Sequence, residues 1–194
     1  MNLEFSDRRR QVLATSVEDV GRFIVIPGPV RSGKSFSGVG GFFTYTVQFE
    51  DTYFGLAAPS QKQIQNVLLS AARTLGVPLK PSNEFIYVPS AGKPNKLVTF
   101  PIERAESEKR IAGHTFQGVL IDEAVDCNET AVNVLIERCS LPGAKIWMIT
   151  NPKQPTHWVN ERFIMNIEKG DLPGVHIPFS LDDNPSLDLS LIHI

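Results

Sequence analysis

Apolar residues along the chain form short runs, separated by longer segments with helical spacing. The runs are rich in β-branched and aromatic residues, and glycine, proline or polar residues end most of them, a pattern typical of buried strands. Strands are predicted at residues 22–26, 53–58, 84–88, 96–100, 119–121, 145–150 and 174–179.

Several of the segments between these strands carry helix signals. The clearest begins after Ser60, where Gln63 completes a capping box, and its apolar positions recur every three or four residues up to Gly76. Further helices are predicted at 37–47, after Asn128, and from Thr156 to about 169. Because strands alternate with helices, the sequence predicts an α/β fold with a parallel-rich, doubly wound sheet flanked by helices.

Length and composition favour one globular domain. The chain has 194 residues, and we expect a domain over residues 1–179 followed by a linker or truncated tail at 180–194, where the periodicity is lost. No apolar run approaches the ~20 residues needed to cross a bilayer. The first residues do not resemble a signal peptide, so we expect a cytoplasmic protein with no membrane partner.

Cysteine, histidine and net charge narrow the function classes. Cys127 and Cys139 form no CxxC motif, so we expect two buried thiols. The four histidines have no metal-ligand spacing. A net charge of −2 gives no argument for nucleic-acid binding, which would require a local basic patch.

A phosphate-binding pattern, G-x-x-x-x-G-K-[ST], follows the first predicted strand. The match consists of Gly28, Pro29, Val30, Arg31, Ser32, Gly33, Lys34 and Ser35. Glycines allow such a loop to curl so that successive backbone N–H groups point at a phosphate. Lys34 is predicted to contact the β- and γ-phosphates, and the Ser35 hydroxyl to bind Mg²⁺.

Two further motifs end predicted strands. Asp122 follows the apolar run 119–121 and is predicted to hold Mg²⁺, while the adjacent Glu123 can orient and deprotonate a water, which favours hydrolysis. Thr150 and Asn151 end the 145–150 strand at the same sheet edge, where they can contact the γ-phosphate or the water. For the Thr-Asn-Pro motif, a simple strand-end turn is the alternative.

The combination GPVRSGKS, RIAGHTFQGVLIDEA and MITNPKQPTHWVNERF resembles the ATPase domain of the large terminase subunit, the DNA-packaging motor of tailed bacteriophages. The resemblance runs from about residue 6 to 185 and includes the segment LDDNP at 181–185, similar to the point where such proteins leave the ATPase domain. It implies a P-loop NTPase fold of the ASCE type, with ATP and Mg²⁺ bound.

The resemblance also implies residue roles. Lys34 and Ser35 would bind phosphate and Mg²⁺, Asp122 would hold the metal, Glu123 would be the catalytic carboxylate, and Thr150 and Asn151 would couple hydrolysis to movement. Gln11 could match a glutamine near the adenine, although its Arg-rich surroundings are equally typical of a solvated surface. A charge-stabilising arginine is expected, with Arg31 as the candidate in cis and Arg104 or Arg110 as candidates in trans.

The implied partners are double-stranded DNA, a homo-oligomeric ring (a pentamer on the capsid), the portal protein and the small terminase subunit. The implied location is the host cytoplasm, transiently at the portal vertex. Lys93 and Lys96, placed in a loop between two strands, are candidates for sequence-independent DNA contact. The family's nuclease domain has no counterpart in this length, so we expect no nuclease activity from a chain that is a fragment, a truncated product or an ATPase-only form.

Three other functions remain open at this point. A helicase-like, nucleic-acid-stimulated ATPase would share Asp122 and Glu123 but normally needs a second motor lobe. A P-loop phosphotransferase would not require Glu123. A nucleotide-responsive assembly module would bind ATP with little hydrolysis, and would oligomerise without releasing phosphate.

Overall fold

The computed structural model describes residues 6–104, 108–151 and 154–184. The strands are β1 (Phe23–Pro27), β2 (Tyr53–Ala58), β3 (Lys80–Pro81), β4 (Ile86–Val88), β5 (Asn95–Pro101), β6 (Gly118–Ile121), β7 (Lys145–Thr150) and β8 (Gly174–His176). The helices are α1 (Asp7–Ala14), α2 (Lys34–Thr46), α3 (Gln61–Gln63), α4 (Ser70–Thr74), α5 (Glu108–Ile111), α6 (Glu129–Arg138) and α7 (Met165–Lys169). Single π-helical stretches, Ile64–Leu69 and Asn160–Ile164, lead directly into α4 and α7.

All eight strands form one sheet in the order β3-β4-β5-β2-β6-β7-β1-β8. The six strands from β5 to β8 run parallel, and the antiparallel pair β3-β4 extends the sheet beyond β5. Parallel strands need crossover connections, and helices supply most of them here. The carboxyl ends of β1, β6 and β7 therefore meet at one edge of the sheet.

A hydrophobic core lies on each face of the sheet. On one face, Phe42 of α2 makes edge-on ring contacts with Phe54 and Trp147 from the sheet. On the other face, the apolar side of α6 and the ring of Phe163 pack against β1, β6 and β7. Burial on both faces is why these central strands are continuous apolar runs.

Close packing fixes α2 against the sheet. A Cβ on Gly38 would lie 2.6 Å from the Cδ1 of Ile149, so only glycine permits this approach. Since α2 begins at Lys34, the same contact holds the start of this helix over the carboxyl edge of the sheet. The α/β fold class predicted from the sequence is confirmed.

Several element bounds match their predictions. Strands β2 and β7 have the predicted limits, and the Ser60 side chain accepts from the Gln63 N–H at 3.2 Å, as the capping box requires. The predicted strand 174–179 ends earlier, at His176, because Pro27 on β1 has no N–H to donate back to this segment. The amides of Ile177 and Phe179 nevertheless donate to Val25 and Pro27 on β1.

Other predictions need correction or lie outside the described residues. Lys96 belongs to β5, in agreement with the strand predicted at 96–100, and its placement in the preceding loop was wrong because β5 begins at Asn95. Helix α1 was not predicted, and in the structure it is held by Lys145, whose Nζ donates to the carbonyl oxygens of Thr15 and Glu18. Pro152 and residues 185–194 lie outside the described ranges, so the division at residue 179 stays a prediction.

Both cysteines, Cys127 and Cys139, are buried free thiols, as expected from the sequence. Burial raises the pKa of each thiol. Within the described ranges, no helix is both long enough and apolar enough to cross a membrane.

Candidate active site

Three loops that follow parallel strands meet at the carboxyl edge of the sheet. Pro27 at the end of β1 pairs with Thr150 at the end of β7, and the Gly28 N–H donates to the Thr150 carbonyl oxygen at 3.0 Å. Strand β6 lies on the other side of β7, and its last residue, Ile121, pairs with Met148 of β7. The structure therefore brings the three sequence motifs to one place, as their positions after strands predict.

The loop at residues 28–35, hereafter the P-loop, joins β1 to α2. Two residues in it have a left-handed backbone, Arg31 with φ 69° and Gly33 with φ 88°. Alternation of right- and left-handed residues turns backbone N–H groups to one side and makes a concave anion site. The adjacent N-terminus of the 13-residue α2 adds partial positive charge. Phosphate binding is the chemistry that this geometry supports.

Ser35 and Asp122 bring two oxygen atoms together beside the P-loop. The Ser35 hydroxyl donates to Asp122 Oδ1 at 3.2 Å, and Asp122 is 1% exposed. Burial, and then the neighbouring Glu123 carboxylate, raises the pKa of Asp122 to about 6. A buried carboxylate beside a second carboxylate and a hydroxyl is a donor set that suits Mg²⁺, a hard cation that prefers oxygen.

The protein would supply only part of such a metal shell. Among the described residues, no group of three or more His, Cys, Asp or Glu side chains is placed to hold a metal ion. Magnesium typically takes one or two protein ligands and completes its shell with phosphate oxygens and water. Ser35 and Asp122 fit that role.

Glu123 lies next to Asp122, with its carboxylate directed toward the P-loop. Its backbone is left-handed, with φ 47°, and such residues occur disproportionately at functional sites. Its Oε1 lies 3.7 Å from Lys34 Nζ, which is an ion-pair distance but longer than a hydrogen bond. The Lys34 side chain is 5% exposed, whereas that of Glu123 is 23% exposed. Glu123 can therefore meet a solvent molecule while Lys34 stays enclosed.

Two buried hydroxyls at this edge have no hydrogen-bond partner among the described residues, Ser32 Oγ in the P-loop and Thr150 Oγ1 at the end of β7. Buried polar atoms are nearly always paired, so each unpaired one requires an explanation. An acceptor oxygen of a ligand bound at this edge is one such explanation for each hydroxyl. Asn151 lines an adjacent cavity of about 460 Å³ with Gly28, Pro29 and His176.

Comparison with solved structures connects this geometry to one family. The large terminase of a thermophilic bacteriophage superposes with a TM-score of 0.84 at 26% identity, covering 96% of this chain and 48% of that one. Structures of the same phage protein with ADP and with ATP-gamma-S give TM-scores of 0.83 and 0.82. The family model for the phage terminase large subunit matches residues 102–193.

The family model and the solved structures both match this chain to phage large terminases. The resemblance inferred from its motifs is thereby confirmed. The ATPase domain of the Thermus phage P74-26 large terminase shares the fold, with a TM-score of 0.59 at 15% identity, covering 92% of this chain and 86% of that one. The chain spans about half the length of the first of these two relatives. A search of curated protein sequences gave no significant match.

In this chain the residue of α1 that reaches the P-loop is Arg9, not Gln11. Gln11 is exposed, and its Oε1 accepts from Arg8 at 2.9 Å. Arg9 is 6% exposed, and its Nη2 lies 2.9 Å from the point that a Cβ on Gly33 would occupy. The adenine role of Gln11 stays a prediction that this geometry does not favour.

Asn184 is the second residue that sequence reasoning missed. It accepts from Arg9 Nη2 at 3.2 Å and donates from Nδ2 to the Arg31 carbonyl oxygen at 2.7 Å. The available signal was the LDDNP segment, which matched the family without a role for any single residue. A contact between residues 153 positions apart in the chain has no local sequence signature.

The arginine candidates occupy two places. Arg31 is exposed in the P-loop itself, so it stays the candidate in cis. Arg104 and Arg110 are exposed and line a shared cavity of about 400 Å³ with Ser60 and Gln61, beyond the ends of β2 and β5. That position is displaced along the sheet from the P-loop, which suits an action on a neighbouring subunit.

The lysines chosen for DNA contact lie away from the site. Lys96 lies near the start of β5, at the opposite edge of the sheet from the P-loop. Its Nζ is paired with Asp51 Oδ1 at 3.0 Å. The exposed Lys93 precedes β5 and its backbone N–H donates to Glu50. Since Lys96 already has a carboxylate partner, Lys93 is the more available of the two for an external phosphate.

Proposed function

We propose that this domain hydrolyses Mg·ATP and serves as the motor domain of a viral large terminase, driving double-stranded DNA into a procapsid. The observation that carries the proposal is the arrangement of Lys34, Ser35, Asp122 and Glu123 at one sheet edge beside a concave P-loop. The ADP and ATP-gamma-S complexes of the thermophilic phage's large terminase support the choice of an adenine nucleotide.

The ion pair between Lys34 and Glu123 suggests how nucleotide binding releases Glu123 for hydrolysis. Lys34 Nζ, 3.7 Å from Glu123 Oε1, is enclosed beside the P-loop. Incoming β- and γ-phosphates carry more negative charge than Glu123 and draw the ammonium toward them. Glu123 is then released to hold a water by hydrogen bonding and to accept its proton as the water attacks the γ-phosphorus. The bond from that phosphorus to the β–γ bridging oxygen breaks, and ADP and inorganic phosphate are the products.

Ser35 and Asp122 would hold the magnesium ion, which when bound neutralises charge on the phosphates. Binding of a dication also favours the ionised form of Asp122, whose pKa is raised to about 6 without it. Ionised Asp122 and the Ser35 hydroxyl are then complementary to the nucleotide complex.

Thr150 and Asn151 provide a link between the γ-phosphate and the rest of the sheet. Thr150 is fully buried, pairs with Pro27 and accepts through its carbonyl from the P-loop residue Gly28. Phosphate release would change the contacts of the Thr150 hydroxyl. Through Thr150, that change would be transmitted to both β7 and the P-loop. We propose that this change moves the DNA-gripping surface.

The site has no arginine on β6 or β7 beside Glu123, so a neighbouring subunit is the proposed source of the charge-stabilising group. Arg104 and Arg110 are its candidates, with Arg31 as the alternative in cis. A homo-oligomeric ring at the portal, working with the portal protein and the small terminase subunit in the host cytoplasm, is the assembly that this proposal requires. Lys93 is the remaining lysine candidate for the DNA backbone.

The test is phosphate release from Mg·ATP, measured as a function of protein concentration for the wild type and Glu123→Gln. Glu137→Gln on the exposed side of α6 is the matched control. We expect a rate per subunit that rises with concentration in the wild type and the control. In Glu123→Gln it should fall by about 100-fold or more, because loss of a general base typically costs roughly 10²–10⁴-fold.

Other outcomes separate the alternatives. A low rate that is equal in wild type and Glu123→Gln contradicts hydrolysis by this site. Assembly on ATP addition without phosphate release indicates a nucleotide-responsive assembly module. Turnover that survives Glu123→Gln and depends on an added acceptor indicates a phosphotransferase.

A further inference from the structure

The segment at residues 177–184, hereafter the flanking segment, runs from β8 along the side of the P-loop. Ile177 and Phe179 donate through their backbone N–H groups to the carbonyl oxygens of Val25 and Pro27, at 2.9 and 2.7 Å. Phe179 then packs so closely on Gly28 that a Cβ there would lie 2.8 Å from the Phe179 Cβ. The first residue of the P-loop is thus fixed to the flanking segment.

A short capped turn places the end of the flanking segment against Arg31 in the P-loop. Leu181–Asp183 form a single 3₁₀ turn. Asp183 Oδ2 accepts from both the backbone N–H and the hydroxyl of Ser180, at 2.8 and 3.0 Å. The turn sets the direction of the next residue, Asn184, whose Nδ2 donates to the Arg31 carbonyl oxygen at 2.7 Å.

We propose that Asn184 is a positioning residue that holds the P-loop in its nucleotide-binding conformation. The inference rests on the proposed binding of nucleotide by the P-loop. Arg31 has a left-handed backbone, which a residue with a Cβ adopts only where its surroundings hold it there. The amide of Asn184 supplies such a restraint from outside the loop.

The restraint acts on the peptide group that joins Arg31 to Ser32. The Arg31 carbonyl and the Ser32 N–H belong to one planar peptide and point in opposite directions. The carbonyl accepts from Asn184, while the Ser32 N–H donates to the Pro29 carbonyl oxygen within the loop at 3.3 Å. Fixing the carbonyl therefore also fixes the turn that Ser32 closes with Pro29, and with it the curl of the P-loop.

Arg9 completes the restraint from helix α1. Its Nη2 donates to Asn184 Oδ1 at 3.2 Å and lies against Gly33, whose φ of 88° and missing Cβ allow this approach. The Arg9 guanidinium also lies 5.7 Å from the ring centre of Phe36 on α2. Both left-handed residues of the P-loop are thus touched by the Arg9–Asn184 pair.

Thermodynamic linkage makes this contact reciprocal. If Asn184 favours the conformation that binds nucleotide, then bound nucleotide must strengthen the attachment of the flanking segment by the same factor. The strength of the contact at residue 184, the last described residue of the LDDNP segment, would then depend on whether nucleotide is bound. A residue that served only the fold would show no such dependence on nucleotide.

The experiment compares wild type, Asn184→Ala and Asn184→Leu, with Asp182→Asn as the control on the exposed side of the same turn. Leucine keeps the branched shape of asparagine and removes both hydrogen bonds. We expect roughly 5- to 20-fold weaker binding of Mg·ATP-gamma-S in both Asn184 variants, as the loss of one or two hydrogen bonds implies. The same loss should lower the Tm without nucleotide by only a few degrees, so that both variants stay folded, and binding by the control should stay close to the wild type.

Hydrogen exchange in the wild type tests the reciprocal effect without any substitution. Saturating Mg·ATP-gamma-S should slow exchange of the Phe179, Asp183 and Asn184 amides, whose acceptors lie on β1 and within the turn. Unchanged exchange, or Asn184 variants that bind within twofold of the control, overturns the proposal. A folded wild type that binds no nucleotide overturns the proposed function itself, and this inference with it.

Discussion

The buried carboxylate of Asp122 makes the nucleotide-free protein less stable at neutral pH than it would be with a neutral side chain. Asp122 is 1% exposed at the end of β6, and the Ser35 hydroxyl and Lys34 offset only part of the cost of its burial. Burial and the Glu123 carboxylate raise its pKa from 3.8 to about 6. Asp122→Asn removes the charge and keeps an oxygen that accepts from Ser35.

The size and sign of the effect follow from linkage. Between about pH 4 and 6 the folded state binds the Asp122 proton more tightly than the unfolded state, so stability falls as pH rises through that window and then levels off. A difference of this size between the two pKa values is worth about 3 kcal/mol. At about 2–4 °C per kcal/mol for a domain of this length, Asp122→Asn should raise the Tm at neutral pH by about 6–12 °C.

The assay is thermal unfolding in EDTA, without nucleotide, at several pH values from about 4 to 7.5, which span the two pKa values of Asp122. Asp171→Asn, in an exposed loop, controls for the loss of one negative charge. The advantage of Asp122→Asn should vanish at the acid end, where the wild-type carboxyl is protonated. It should reverse in Mg·ATP-gamma-S, which stabilises the form that binds it. A variant that is less stable than wild type at neutral pH, or equally shifted at every pH, would refute the reasoning.

The remaining predictions concern turnover. Thr150→Val replaces a buried hydroxyl that lacks a partner among the described residues, so the free energy of unfolding should stay equal or rise by up to about 1 kcal/mol while phosphate release falls. A loss of stability with normal turnover contradicts that role. If Arg104 or Arg110 acts on a neighbouring subunit, its alanine variant should release phosphate slowly alone and recover part of the rate when mixed with Glu123→Gln. Absence of recovery in both mixtures argues against action in trans.

Local sequence signals predicted most of the sheet. β2 and β7 are continuous apolar runs with clear ends, and the Ser60 capping box marks the start of its helix without any tertiary information. The three motifs follow parallel strands, so their convergence at one edge could also be predicted. The separations within the site, such as 3.2 Å between the Ser35 and Asp122 oxygens, required the structure.

Contacts distant in sequence explain what the sequence did not reveal. The Arg-rich start of α1 is polar, and its burial at Arg9 depends on Asn184 and Gly33 rather than on helical periodicity. Lys96 was a candidate for DNA contact because its pairing with Asp51, on a neighbouring segment, cannot be read from either position alone. In both cases the contacts of a charged residue depend on a partner that is distant in the sequence and adjacent only in the folded chain.

The central claim is that Glu123 activates water for attack on ATP bound at the P-loop. Its most direct test is a single-turnover measurement, in which protein in excess is mixed with Mg·ATP and both bound ATP and formed ADP are followed over time. The account predicts that wild type and Glu123→Gln bind ATP to similar extents and that only the wild type converts it to ADP. Equal conversion by the two proteins would contradict it.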